Sequence, residues 1–163
     1  MLWKSTQIER VINMSIKTDT LVATPHNNMP IGELPFQGAI YAYDIETKQK
    51  VATQYRNCML TRRNAEIYKL TLKDKSIIYC TFDHKILTHN RDYVFASELN
   101  TDDTVVTINN KKGSKVQSVE KLVERADVYD LEVPQYHNFI LANGVVVHNC
   151  RYALEKYANR KGN

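Results

Sequence analysis

Residues 128–150 read VYDLEVPQYHNFILANGVVVHNC. Over 128–133, Tyr129, Leu131 and Val133 alternate with polar residues, the two-residue period of a strand with one face on a core. That spacing sends Asp130 to the opposite face, as a solvated charge. Residues 139–142 and 145–147 are short apolar runs on either side of Asn143-Gly144, the strongest short-range hairpin signal. The second run stops abruptly at His148-Asn149-Cys150, where an imidazole, a carboxamide and a thiol stand side by side.

Working outward from this stretch, the chain is an almost continuous succession of strand signals. Residues 20–24 form one, ended by Pro25. Residues 39–45 and 51–61 follow, with a polar turn between them. In 67–72, Tyr68, Leu70 and Leu72 share one face against Lys69 and Thr71. Lys73-Asp74-Lys75 reads as a hairpin turn into 76–81. Residues 103–108 run to a polar, glycine-containing turn over 109–114, and 116–123 gives a further strand before 128–133. About ten short strands with tight turns and no internal repeat predict an all-β domain of antiparallel ribbons. The ends read differently: 4–14 set Ile8, Val11 and Ile12 at helical spacing, and 151–160 are rich in helix formers, predicting short helical flanks.

Composition narrows the function classes. The chain of 163 residues is 43% apolar, enough for one domain's core. Only five glycines and four prolines exclude a collagenous or linker-like chain. No run nears the ~18 apolar residues of a membrane span, and the N-terminus lacks the block and cleavage site of a signal peptide. Cys58, Cys80 and Cys150 form an odd, irregular set, which speaks against a disulfide scaffold and for a reducing, cytoplasmic compartment. The net charge of +4 is scattered. Its longest basic clusters are Arg62-Arg63 and Lys111-Lys112, the mark of a solvated surface, so neither nucleic acid nor a membrane is an expected partner.

The terminal trio has its own chemistry. An Asn side-chain nitrogen can attack its own main-chain carbonyl, close a succinimide and cut the following peptide bond. That reaction needs a donor on the carbonyl and a proton for the leaving amine, and a neighbouring His supplies both. The thiol at the next position is a nucleophile that stays with the downstream segment. The arrangement suits a chain that cuts itself between Asn149 and Cys150. A second cluster, Thr81-Phe82-Asp83-His84, follows the strand signal at 76–81, and Thr81 and His84 can face one point across a strand end. Alone it is a weak signal, as is His137 in its loop.

Taken together these pieces are specific. In SIKTDTLV at 15–22, CTFDH at 80–84 and the stretch 128–150, the chain resembles an intein, in particular a mini-intein with the horseshoe-like hedgehog/intein (Hint) β fold. The resemblance runs over 15–149 and leaves no room for a homing endonuclease. It implies that 1–14 and 150–163 are the N- and C-extein flanks. By the family pattern Ser15 is the first nucleophile, attacking the Met14 carbonyl. Thr81 and His84 bind that bond, and His84 protonates the departing nitrogen. Cys150 takes the acyl group, Asp130 shuttles protons and tunes the thiol, and Asn149 cyclises with help from His148 and His137. Such a domain acts on its own flanks, as a monomer, with no metal or cofactor.

Two features depart from the pattern: the first position holds Ser15 where most members have Cys, and Thr18 stands three places later where a small residue is usual. Transfer from an oxoester to a thioester runs towards the less stable acyl compound, and serine needs stronger base assistance. Ser15 is therefore read as a replacement for a native Cys that traps the precursor. Residues 150–155 resemble the end of the nuclease region of phage terminase large subunits, which makes such a protein the expected host. The turn at 109–114 is where split relatives are divided, so a fused split intein is an open alternative. Rival readings are a hedgehog-type autoprocessing domain, which needs neither Asn149 nor Cys150, a metal-binding module built on Cys80, His84, His148 and Cys150, and a plain β-rich binding domain.

Overall fold

The computed structural model describes residues 14–149. The expected helical flanks and the terminase-like residues lie outside them. Twelve strands follow in chain order: β1 (Ile16–Lys17), β2 (Leu21–Ala23), β3 (Asn28–Pro30), β4 (Gly38–Asp44), β5 (Gln49–Leu72), β6 (Ile77–Cys80), β7 (Lys85–Thr88), β8 (Asp92–Phe95), β9 (Thr104–Thr107), β10 (Asn110–Glu132), β11 (Asn138–Ile140) and β12 (Val146–His148). The fold is all-β and antiparallel, as the alternation predicts. Among the described residues no helix is long and apolar enough to cross a membrane.

The main difference from the sequence reading is that four of the expected short strands are halves of two long ones. Strands β5 and β10, of 24 and 23 residues, pair antiparallel along most of their lengths. The segments 51–61 and 67–72 fuse because Asn57 and Asn64 take φ of 58° and 54°, so the strand bends at bulges instead of ending. Asparagine tolerates this left-handed conformation better than most residues. The Asn64 N–H donates to Asp127 Oδ1 at 3.0 Å, tying the bend to the partner strand. The polar residues 109–114 are likewise not a loop: the chain reverses at 108–109, and Asn110 already belongs to β10. Gly113 at φ +78° sits in the ladder where a Cβ would lie 2.5 Å from the Val105 carbonyl oxygen.

The Asn143-Gly144 hairpin forms, with only Gly144 at positive φ. The Leu141 N–H bonds to the Val145 carbonyl and the Gly144 N–H to the Leu141 carbonyl, at 2.9 and 2.8 Å. This is a three-residue loop with its glycine in the left-handed position. Strands β7 and β8, with the turn between them, lie outside the strands expected from the sequence. They pair with each other, while β7 also carries β12 and β9.

One cluster of buried side chains, including Ile16, Leu70, Ile78, Ile86, Leu131, Phe139 and Val147, links these ribbons. Burying such side chains is worth roughly 1.5–3 kcal/mol each, which locks the register of the strands that contribute them. Two placements matter for the site. Strand β1 lies between β10 and β6, and β12 lies between β11 and β7. The segment joining β6 to β7, residues 81–84, therefore runs from one chain end of the domain to the other.

Candidate active site

Ile16 pairs with Tyr129 on one side and Cys80 on the other. One step back along that register, Ser15 comes abreast of Asp130 and reaches Thr81 just past the end of β6. Ser15, Thr81 and Asp130 are all buried, Ser15 completely. The expectation that Asp130 is a solvated charge is therefore corrected. Asp130, Leu131 and Glu132 are buried in succession, so both faces of β10 are covered here and alternation does not send any residue to water.

The Ser15 N–H, which belongs to the Met14–Ser15 peptide bond, donates to Thr81 Oγ1 at 2.9 Å. The Thr81 N–H donates to the Ser15 carbonyl at 2.9 Å. The Thr81 hydroxyl has one proton and two acceptors in reach: Asp83 Oδ1 at 3.0 Å and the Ser15 carbonyl at 3.3 Å. The shorter, charge-assisted bond to the carboxylate wins. Asp83 thus turns the hydroxyl so that its lone pair meets the Ser15 N–H. The Ser15 hydroxyl lies 2.6 Å from Thr61 Oγ1, which donates to the Val128 carbonyl at 3.2 Å. With the Thr61 proton committed there, Ser15 donates to Thr61.

At the other end, Val147 pairs with Ile86. Continuing that antiparallel register brings His148 abreast of Lys85 and Asn149 abreast of His84. Asn149 is completely buried, and its N–H donates to the His137 carbonyl at 2.9 Å. His137 takes φ of 60°, and its N–H closes a turn on the Val133 carbonyl at 2.9 Å.

Burial governs the charges. His84 is completely buried and its pKa falls from 6.5 to about 3, first from loss of solvent, then from the nearby His148, with the Met14 main chain acting in the opposite sense. The Met14 main chain thus lies beside the ring, while both ring nitrogens are buried without a hydrogen-bond partner among the described residues. His148 falls from 6.5 to about 4, through burial first and then the charges of Lys85 and His137. Both imidazoles are neutral at pH 7. Cys80 is pushed up to about 12 by burial and by Asp83.

Ser15, Thr81, His84, Asp130, His137, His148 and Asn149 all fall at the two ends of the 81–84 connection. Cys150 lies outside the described residues. Cys80 does not pair with His84 as a metal ligand, because its side chain belongs to the apolar cluster beside Ile16. Sequence reasoning missed Thr61, Tyr93 and Asn138, and quoted Asp83 without a role. No local pattern marks them, since only the register of β5 against β10 and of β8 against β7 brings them here.

Residues 109–149 match the family model described as the intein splicing domain. The structure is similar to the DnaB intein of Synechocystis sp. PCC 6803, with a TM-score of 0.75 and 21% identity over 83% of this chain and 97% of that one. It is also similar to the DnaX mini-intein of Spirulina platensis, at TM-score 0.68 and 24% identity, covering 83% and 99%. At such identities these likenesses show the fold. An alignment 98 residues long, covering 57% of this chain, is 37% identical to DNA topoisomerase 1 of Pyrococcus furiosus. The chain spans only 9% of the length of the curated relatives it matches, so their names carry nothing to it.

The fold is of the hedgehog/intein type, and its two ends meet at one buried set of polar side chains around Thr81 and His84. More narrowly, residues 109–149 carry the intein splicing domain and the fold is that of the solved mini-inteins, which supports autocatalytic protein splicing.

Proposed function

We propose that residues 15–149 excise themselves and join 1–14 to 150–163, with the residues named above in defined roles. The observation that carries this is the double reach of the 81–84 connection, on which Thr81 grips Ser15 while His84 lies abreast of Asn149. The domain acts as a monomer, in a reducing compartment that keeps its thiols free.

In the first step Ser15 Oγ attacks the Met14 carbonyl carbon and the bond to the Ser15 nitrogen breaks. The hydroxyl proton ends on that nitrogen, so an amide becomes an ester and a free amine. His84, neutral and beside the Met14 main chain, polarises the Met14 carbonyl and relays the proton. Thr81, set by Asp83, keeps the peptide plane from turning. Cys150 Sγ then bonds to the acyl carbon as the bond to Ser15 Oγ breaks, and Asp130, abreast of Ser15, takes the thiol proton and delivers it to the oxygen. Next, Asn149 Nδ2 attacks its own carbonyl carbon, forming a succinimide and releasing the Cys150 amine, with His148 and His137 supporting the transfer. The freed amine finally displaces the Cys150 sulfur and leaves a normal peptide bond.

No bulk water competes, because Ser15, His84 and Asn149 are completely buried. Tethering supplies the rate, since aligned intramolecular attack reaches effective molarities of about 10⁵–10⁸ M. Ser15 is the slow point: Thr61, its hydroxyl partner, is too weak a base to take the proton. A serine replacing cysteine here holds the chain as a precursor. Intact-mass spectrometry over days tests the assignment. The chain should slowly release 150–163, and Asn149→Ala should stop that release; release at an unchanged rate from Asn149→Ala would overturn it.

A further inference from the structure

His148 is oriented in an unusual way. A working histidine is generally aimed by a hydrogen bond at its second ring nitrogen. Here His148 Nδ1 is buried and has no hydrogen-bond partner among the described residues. What meets the ring is Tyr93 of β8, edge to face, with centroids 4.8 Å apart and 74° between the planes. Such a contact is directional, because the positive ring edge seeks the negative face.

Tyr93 is itself fixed at its far end, where its hydroxyl accepts from Asn138 Nδ2 at 3.2 Å. Asn138 is completely buried and cannot turn. Its Oδ1 accepts the Tyr43 N–H at 2.8 Å, and its Nδ2 donates to the Tyr43 carbonyl at 2.9 Å. Asn138 also pairs directly across from His148 in the β11–β12 ladder. His148, Tyr93 and Asn138 therefore form a closed frame, in which each member's position is set by the next.

From this frame we infer that Tyr93 is a positioning residue for cleavage at Asn149: its ring sets the plane of the His148 imidazole, and Asn138 sets Tyr93. The inference rests on the splicing reading for its consequence, but not for its geometry. Plain core filling would explain the partial burial of Tyr93, yet it gives no reason to spend a buried amide on its hydroxyl. Lys85, His137 and His84 are the charged or titratable groups around His148, so its titration responds to them as well as to the packing of Tyr93.

The test uses the full chain in two forms. In the Asn149→Ala form, which cannot cyclise, imidazole NMR follows His148 directly. Tyr93→Leu should move its ring resonances and raise its titration midpoint by about one unit as water enters. Tyr93→Phe, which keeps the ring contact, should move it less than half as far. With Asn149 intact, Tyr93→Leu should slow release of 150–163 about tenfold or more, and Tyr93→Phe about twofold. Hydroxylamine cleavage after Met14 should stay within about twofold in both. Unmoved His148 resonances in Tyr93→Leu, or equal slowing at both junctions in folded protein, would overturn the inference. Should Tyr93→Leu not fold, Tyr93→Phe decides alone: a loss confined to the Asn149 junction supports the inference, and no loss there overturns it. If His148 moves as expected but the unsubstituted chain never releases 150–163, the splicing assignment fails and the positioning stands.

Discussion

Thr81 holds Ser15 from both sides, its N–H donating to the Ser15 carbonyl and its hydroxyl oxygen accepting from the Ser15 N–H, each at 2.9 Å. The first bond extends the β1–β6 ladder by one residue. The second uses a side chain where a strand would offer a carbonyl, and Asp83 turns the hydroxyl for it. The N–H of the Met14–Ser15 peptide bond is thus held by a side chain whose orientation Asp83 sets.

Thr81→Val keeps the shape and removes the hydroxyl. The buried Ser15 N–H then loses its acceptor, a cost of about 1–3 kcal/mol. Hydroxylamine cleavage after Met14 should fall roughly 10–100-fold by that arithmetic, while release of 150–163 continues. Equal loss at both junctions would contradict a role local to Ser15.

Acid should weaken the fold before ordinary carboxylates titrate. His84 and His148 lie at about 3 and about 4 against 6.5 when unperturbed, chiefly because burial penalises the imidazolium. The unfolded chain therefore binds protons in a range where the folded chain does not. Their contribution is complete above 6.5 and is lost as pH falls through the two folded values. Thermal melts at pH 7 and 4.5 should show Tm lower at 4.5 by more than about 5 °C. His84→Leu should remove part of that difference.

A separate acid-labile tie joins the β7–β8 turn to the entry of β9. Asp103, 1% exposed, accepts from Arg91 Nη2 at 2.8 Å and Nε at 2.9 Å, from Asn90 at 2.8 Å and from the Asn100 N–H at 2.9 Å. The Arg91 guanidinium holds its carboxyl below the usual carboxylate range. Its stabilisation is present above the unfolded carboxylate pKa and is lost only as pH falls below it. Asp103→Asn should lower Tm by about 5–10 °C at pH 7, and by progressively less as pH falls below the unfolded carboxylate value.

Cys58 and Cys80 should be chemically silent. Both are buried, and the Cys80 thiol is pushed up to about 12. Iodoacetamide at pH 8 followed by peptide mapping should leave both unmodified in folded protein. Modification of Cys80 under native conditions would show that the strand pairing beside Ser15 opens.

Much of this molecule was legible in its residues, and the rest was hidden by register. The alternation in 128–133 and the Asn143-Gly144 hairpin are local signals, and both formed. The fusion of short strands into β5 and β10 was not legible. It depends on Asn57 and Asn64 adopting positive φ, which the same residues equally use to end a strand. Asp130 misled for a related reason: alternation tells which face a residue takes, but not whether that face is covered. Thr81, His84 and His148 could be singled out because their chemistry is unusual at a strand end. Thr61 and Tyr93 carry no such mark, since one is an ordinary strand threonine and the other an ordinary tyrosine until β5 and β8 are in place.

Replacing Ser15 with cysteine and following intact mass with time tests self-splicing most directly. The account predicts loss of the precursor and the paired appearance of free 15–149 and a ligated product joining Met14 to Cys150. A Ser15→Cys protein that stays one unchanged species would contradict it.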